Sequence, residues 1–450
     1  MTHLAFSRRV FALSLALAAL SPIAVAAQGS TPSASPESCI EVEGSGDCLP
    51  VAPESERVDL GEMAFSDPTN ITNPLFPISN LTQVIQLGVD AGESLRVEAT
   101  LLPETKLIAW NGQEVETVVS QFIAYLDGRV VEVANDFYAQ ADDGAVWYFG
   151  EDVFNYEDGV VANTDGTWLA GKDGPPGMIM PANPQAGDVY RPENIPGFVF
   201  EEVTVKATGV TVDGPQGPVE GAIVIQELLM DGTLEEKTFA PGYGEFLAKT
   251  DTEFIIVALG VPFDSQTEAI PTALSTLSTG GAEVFDAVLA ENWDAMSATM
   301  AEMTTAWDTY DSGDVPQALA IQMDDAFDAL VTAVEDRDAG TARQAAIDVG
   351  GASLDFQLQY RSLAEVDLAR LALLAHQIEF DSAADDAGAV SSDVVVLESI
   401  WTRVARTVDQ SMADQVDAQL GTLRAAADAG DLAAAATAAA QLRDSLAGTA

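Results

Sequence analysis

Asn-Gly and Asp-Gly pairs that separate apolar runs between residues 58 and 262 constrain the fold of this region more than any other feature. Such pairs include Asn111-Gly112, Asp127-Gly128, Asp143-Gly144, Asp158-Gly159, Asp165-Gly166 and Asp231-Gly232. Such pairs supply the positive φ angles that two-residue hairpin turns require. Because turns of this length join antiparallel neighbours, we predict an antiparallel β-sheet or half-open barrel over residues 58–262.

The apolar and β-branched runs between these turns predict the strands. They lie at 118–126, 129–140, 145–150, 201–212, 221–228, 234–239 and 253–259. After Pro262 the apolar spacing becomes that of alanine-rich amphipathic helices. We predict helices at 282–310, 316–337, 340–360, 364–385, 390–410 and 414–446, the last with a break near Gly430.

The first of these helices carries an apolar stripe that needs partner helices. Its members repeat at intervals of three and four residues: Trp293, Met296, Met300, Met303 and Trp307. Such a stripe is buried when helices pack side by side. The sequence therefore predicts an α+β multidomain protein, with a β domain at 58–262, a linker at 263–280 and an antiparallel helical bundle at 281–450.

The N-terminus has the pattern of a cleavable signal peptide over residues 1–26. Arg8 and Arg9 precede a short apolar run, and Ala24-Val25-Ala26 forms a small-residue cleavage site. The segment from Ser7 to Phe11 also resembles a twin-arginine signal, so both export routes stay open. We predict a protein that is secreted or held in the cell envelope, periplasmic or extracellular, without a membrane span.

Residues 27–57 read as a disordered linker that contains a small closed loop. Its composition is rich in Ser, Pro and Glu, and it holds the two cysteines of the chain, Cys39 and Cys48. In an oxidising compartment this pair predicts a disulfide. Metal binding by two thiolates is the weaker alternative, since no histidine lies nearby.

The formal net charge of −52 excludes partners that are themselves polyanionic. Nucleic acid and anionic membrane surfaces would be repelled, whereas cations would collect at the acidic surface. The acidic residues are spread along the chain, and neither 308–314 nor 336–340 has the spacing of a calcium loop. We therefore predict no metal site and interpret the acidity as a property of the whole surface.

Catalytic motifs are missing from the sequence, and His376 is the one histidine that remains after the signal peptide. A single histidine excludes histidine-rich metal sites, and it excludes serine triads that need a choice among several histidines for the catalytic base. We predict no catalytic residue and no cofactor. A haem held by His376 and one of Met296, Met300 or Met303 is a remote alternative.

An aromatic block with Gly/Pro-rich loops, residues 147–193, is the most distinctive stretch of the β domain. The candidate ligand-binding residues are Trp147, Tyr148, Glu151, Tyr156, Trp168, Tyr190, Arg191 and Glu193. Aromatic side chains beside an ordered loop can line a ligand groove. The alternative is that they fill the core of the domain. If the protein is instead a hydrolase, Glu151 and Glu193 are its candidate catalytic carboxylates.

Three segments resemble a widespread group of exported bacterial proteins of unknown function. They are 67–77 (DPTNITNPLFP), the aromatic block and 239–244 (FAPGYG), and the resemblance covers about residues 64–259. It implies an exported β domain, and it transfers no catalytic residue because the group has no established activity. Many members lack the helical half.

These observations favour a non-enzymatic, extracytoplasmic binding or interaction protein. Its partner would be a protein, a small molecule or a saccharide, bound by the β domain. The alternative is a carboxylate-dependent hydrolase that acts on a surface or environmental polymer. A metal- or haem-binding helical bundle is the remote third hypothesis.

Overall fold

The computed structural model of the protein describes residues 39–41, 48–263, 269–313 and 315–446. The predicted signal peptide lies outside these residues, as does most of the predicted linker before Cys48. Within the described part, sixteen strands precede eight helices.

The strands are β1 (Cys39–Glu41), β2 (Cys48–Pro50), β3 (Leu81–Asp90), β4 (Glu93–Trp110), β5 (Gln113–Leu126), β6 (Arg129–Gln140), β7 (Val146–Glu157), β8 (Val160–Asn163), β9 (Trp168–Leu169), β10 (Gly177–Met180), β11 (Val189–Ile195), β12 (Val199–Gly214), β13 (Gly217–Leu229), β14 (Leu234–Ala240), β15 (Gly244–Lys249) and β16 (Glu253–Pro262). The helices are α1 (Thr272–Leu289), α2 (Trp293–Asp311), α3 (Gln317–Asp336), α4 (Ala339–Gln357), α5 (Leu363–Ala383), α6 (Ala387–Val404), α7 (Gln410–Asp428) and α8 (Leu432–Leu446).

Strands β3 to β16 form one antiparallel sheet, which confirms the predicted fold class. Its order is β10-β7-β6-β5-β4-β3-β16-β15-β14-β13-β12-β11, with β8 and β9 paired to β7. Four of the predicted turns, at residues 111–112, 127–128, 143–144 and 231–232, join neighbours in this order. At the β5–β6 hairpin, Asp127 and Gly128 have φ of 46° and 78°. The first strand, β3, pairs with the last, β16, so the two ends of the domain meet in the middle of the sheet.

The sheet curls so that its two edge strands, β10 and β11, lie close to each other, but no ladder of backbone hydrogen bonds joins them. A Cβ added at Gly177 in β10 would overlap the carbonyl oxygen of Pro192 in β11. Only glycine allows the backbones to come this close. The curl gives the sheet a concave face, turned inward, and a convex face, turned outward.

The helices cover the convex face. Ile85, Leu259 and Val261 of the sheet belong to one apolar core with α1 to α4, and Ile123 and Val133 belong to a second core with α5 to α8. The predicted β and helical regions therefore share buried surface.

The predicted helix 282–310 is wrong, because two helices occupy this stretch. Residues 290–292 interrupt it, with Glu291 in the left-handed region at φ 53°, and the Asn292 side chain caps α2 by accepting a hydrogen bond from the Ala295 N–H at 3.3 Å. α1 also begins within the segment predicted as a linker. The predicted break near Gly430 is confirmed between α7 and α8, and the methionines of the predicted stripe are buried.

The predicted disulfide between Cys39 and Cys48 is confirmed, with 5.5 Å between the two Cα atoms. It joins β1 to β2, which form a separate two-stranded sheet. Ile40 of this hairpin is buried against Phe200 and Met230. Part of the segment predicted as a disordered linker is thus packed on the β domain.

Candidate ligand-binding cavity

The concave face of the curled sheet encloses a cavity of about 130 Å³. This is similar in size to apolar cavities of about 150 Å³ that take up a benzene-sized molecule. Strands β3 to β6, β10 and β14 to β16 all contribute to its wall. The cavity is therefore a product of the whole sheet and not of one loop.

Strand alternation explains which side chains face the cavity. In β4, Val97, Ala99 and Leu101 line it. Their neighbours Arg96 and Glu98 point to the helices, where Arg96 contacts Asp355. Because successive side chains of a strand point to opposite faces, one strand serves both the cavity and the helix contact.

Most of the wall is apolar. Its apolar side chains include Phe76, Leu81, Val84, Phe122, Phe239 and Tyr243. Phe122 and Tyr243 are only partly buried, so the cavity offers accessible apolar surface. Removing such surface from water is the main favourable contribution of a cavity of this kind to ligand binding.

One part of the wall is charged and centres on Lys237 of β14. The Lys237 ammonium lies 2.8 Å from Glu227, 3.4 Å from Glu235 and 3.5 Å from Glu245. Its side chain is 8% exposed. Lys237, Glu235 and Glu245 line the cavity together with Glu253 of β16. Glutamates of four strands, β13 to β16, thus surround one lysine.

Burial shifts the protonation of these glutamates. It raises the pKa of Glu253 to about 8, and the charges of Glu235, Asp90 and Glu245 act in the same direction. Burial also raises the pKa of Glu235 to about 7, against the opposing effect of Lys237. The pKa of Lys237 is raised well above its usual value, because the surrounding glutamates outweigh its burial. This part of the wall therefore exchanges protons near neutral pH.

A second polar group on the wall is Asp136 of β6. Its carboxylate accepts hydrogen bonds from the Tyr148 hydroxyl at 2.9 Å and from the Tyr138 hydroxyl at 3.3 Å. Tyr138 and Tyr148 are stacked with ring centroids 4.9 Å apart. These contacts tie the cavity to the aromatic block.

The predicted ligand-binding residues lie behind this wall. Six of them are at most 4% exposed: Trp147, Tyr148, Glu151, Trp168, Tyr190 and Glu193. Trp168 donates to Glu193 at 2.9 Å and packs edge-on against Tyr148. The aromatic block thus forms a core, which was the alternative interpretation.

Arg191 and Tyr156 have other neighbours. Arg191 is 8% exposed and pairs with Glu202 at 2.8 Å. Tyr156 packs against the helix-covered core on the convex side. None of the eight predicted residues, all of which the structure describes, lines the cavity, and a ligand contact for them stays a prediction.

The three segments that carry the family resemblance meet at the cavity. The Asn73 side chain donates to the carbonyls of Gly144 and Pro181, both at 3.1 Å, and the Gly242 N–H donates to Pro74 at 2.9 Å. Each segment contributes to the wall, for example through Phe76, Ile179 and Tyr243. Each segment is recognisable in the sequence, but only the fold brings the three together around one cavity.

His376, the residue on which the haem alternative depends, is 7% exposed in α5. Its ring packs edge-on against Phe285, with 4.5 Å between centroids. Burial, together with the charge of Arg443, lowers the pKa of His376 to about 4. His376 is thus a buried side chain packed within the bundle.

Comparison with other proteins and a search for metal-binding groups give no further identification. No protein-family model matches the chain, and no curated protein matches it. Within the described residues, no three His, Cys, Asp or Glu side chains are arranged to hold a metal ion. None of the described helices is long and apolar enough to cross a membrane.

Proposed function

We propose that the protein is an exported, non-enzymatic binding protein that holds a small, largely apolar ligand inside the curled sheet. The observation that carries this proposal is the cavity, whose wall combines accessible apolar side chains with one charged patch. Such a combination is typical of small-molecule sites, where apolar surface supplies affinity and a few polar groups fix orientation. The disulfide between Cys39 and Cys48 supports an oxidising, extracytoplasmic location.

We also propose that the chain belongs to the group of exported proteins that it resembles. The contacts between Asn73, Pro74, Pro181 and Gly242 support this, because they connect the three resembling segments around one cavity. A shared ligand site would give these segments a common role.

Filling the cavity tests the binding function. Ala99 lies on the wall in β4, opposite Phe122 of β5, and Ala99→Phe would place a ring in the ligand's space. The neutral dye 4-(dimethylamino)benzonitrile, a single substituted benzene ring whose fluorescence responds to the polarity of its surroundings, is the probe. We expect saturable binding to the wild-type protein and an affinity lower by about tenfold or more in the variant, since lost apolar contact of about 1.4 kcal/mol has this effect.

The matched control is Ala109→Phe, at an exposed position of the same strand, which should bind the dye as the wild type does. Leu101→Trp, also on the wall, replaces Ala99→Phe if the latter does not fold. Lack of saturable binding by the wild type, or equal binding by folded wall variants, would overturn the proposal.

A further inference from the structure

Glu253 is a buried carboxyl group on the cavity wall that lacks a protein partner. It is 8% exposed, and its side chain makes no hydrogen bond or ion pair within the part of the chain that the structure describes. Lys237 is engaged by Glu227, Glu235 and Glu245. Its carboxyl oxygens are not fully buried, so a ligand in the cavity can reach them, and a largely buried carboxylate is stabilised by such a partner.

The charges around Glu253 are unbalanced. Lys237 and Glu235 of β14, Glu245 of β15 and Asp90 of β3 all act on it, so one positive charge stands against several carboxyl groups. The three N–H donors of Lys237 already face three carboxylates. An anionic ligand would find no free donor at Lys237 and would meet the surplus of acidic groups. A cation would be attracted by the same surplus.

We propose that the ligand carries a primary ammonium group, which donates hydrogen bonds to Glu253 and Glu235 while its apolar part lies along β3, β4 and β5. This inference rests on the proposed function, since it assigns a chemical class to the ligand of the same cavity. An ammonium has three donors and matches a site that offers several acceptors. An inorganic ion would make no favourable contact with the apolar part of the wall.

The protonation of the site gives the inference a second signature. In the empty protein the raised pKa of Glu253, about 8, and that of Glu235, about 7, keep protons on these groups near neutral pH. An ammonium binds the carboxylate forms, so binding displaces protons. Affinity for an amine should therefore rise as pH increases from about 6 to about 9, a range in which alkylammonium groups stay charged.

Three ligands of equal chain length separate head-group charge from apolar contact. Hexylamine, hexanol and hexanoate are titrated by calorimetry into the full mature protein. We expect hexylamine to bind at least about tenfold more tightly than hexanol and hexanoate to bind most weakly, because charge-assisted hydrogen bonds exceed neutral ones. Proton release is measured by repeating the hexylamine titration in buffers of different ionisation enthalpy.

Glu253→Gln keeps the shape of the side chain and removes its charge. It should weaken hexylamine by about tenfold, flatten the pH dependence and leave hexanol unchanged. The control is Glu236→Gln on β14, a half-exposed residue that pairs with Lys249 outside the cavity, which should bind hexylamine normally. If Glu253→Gln does not fold, Glu235→Gln and the wild-type pH profile give the same readout.

The outcomes distinguish the two proposals. Tighter binding of hexanol or hexanoate than of hexylamine would overturn the ammonium inference and leave the binding function standing. Binding of the neutral dye without binding of hexylamine would also overturn it. Failure of the dye to bind would overturn the proposed function itself, and with it the ammonium inference that rests on that function.

Discussion

Two buried clusters of charged residues lie on opposite faces of the same sheet, and they are built differently. The convex cluster, between sheet and helices, consists of Arg96, Arg370, Arg403, Glu98, Asp355 and Asp367. The concave cluster consists of Lys237, Glu235, Glu245 and Glu253 on the cavity wall and of Glu227, which pairs with Lys237. The first has three cations for three anions, whereas the second has one cation for four acidic groups.

Each carboxylate of the convex cluster is paired with arginines. Arg96 grips Asp355 with two hydrogen bonds of 2.7 and 2.9 Å, and Arg370 joins Asp355 to Asp367. Burial opposes the charge of Glu98, but the guanidiniums of Arg370, Arg96 and Arg403 outweigh it and hold its pKa well below the usual range. A planar guanidinium group can hold two carboxylates in fixed directions. The ammonium of Lys237 also contacts several carboxylates, but its contacts are less directional.

The comparison teaches that burial of charge does not by itself indicate a binding site. Balanced charges that pair with one another fix one packing of helices on a sheet. Unbalanced charges beside a cavity, with Glu253 lacking a partner among the described residues, leave a contact that a ligand can complete. The convex cluster should therefore control stability, and the concave one should control ligand binding and the response to pH.

Removal of Arg370 should cause the largest loss of stability. Arg370→Met leaves Asp355 and Asp367 buried with fewer partners, and breaking a buried ion pair in this way costs about 3–5 kcal/mol of unfolding free energy. Urea denaturation followed by circular dichroism measures the loss. The control is Arg406→Met, which removes an ion pair with Glu104 from a side chain that is 75% exposed and should cost less than about 1 kcal/mol.

Equal losses in these two variants would contradict the distinction between the clusters. The convex cluster would then contribute no more than a surface ion pair, and the apolar contacts of Ile85 and Ile123 with the helices would hold the two regions together.

Neutralising Glu253 should have a smaller effect on stability, confined to alkaline pH. The folded protein holds a proton on Glu253 up to about pH 8, whereas the unfolded chain releases it near pH 4.5. The bound proton thus stabilises the fold fully below the unfolded pKa, and this contribution is lost as pH rises through the folded pKa. Glu253→Gln should match the wild type at pH 5 and be more stable at pH 9, on the order of 2–4 kcal/mol.

Urea midpoints of the ligand-free proteins at the two pH values measure this difference. Glu236→Gln, half exposed and paired with Lys249, should show no such gain. A Glu253→Gln protein that gains nothing at pH 9 would place the partnerless carboxyl group in contact with water, and the contrast between the clusters would weaken.

The sequence predicts the elements better than their assembly. The turn pairs, such as Asp127-Gly128, meet local backbone requirements, and the Met296–Met303 stripe marks one face of a helix. Both can therefore be predicted from residues that are close in the sequence. The pairing of β3 with β16 is not, because no turn connects these strands. Without it the curl of the sheet, and hence the cavity, cannot be derived.

The residues of the candidate site were missed for the same reason. Lys237 and Glu253 look like ordinary strand residues, and they become a buried cluster only when four strands converge. The aromatic side chains of residues 147–193 gave the stronger signal, but size and apolarity serve a core as well as a groove. Strand alternation does place Glu235, Lys237 and Phe239 on one face, although it does not tell which face is concave.

The smallest effect should come from Asp136, a buried carboxylate that accepts hydrogen bonds from two tyrosine hydroxyls. The Tyr148 hydroxyl donates to Asp136 at 2.9 Å, and both residues are almost fully buried. Tyr148→Phe removes one hydroxyl, leaves the ring packed against Trp168, and should cost about 1.5–3 kcal/mol, the usual contribution of a hydrogen bond to a carboxylate. The control is Tyr243→Phe, whose hydroxyl makes no hydrogen bond to any residue that the structure describes and whose loss should change the urea midpoint little. A larger loss from Tyr148→Phe than from Arg370→Met would show that neutral hydrogen bonds around the cavity, and not the arginine cluster on the convex face, determine the stability of the sheet.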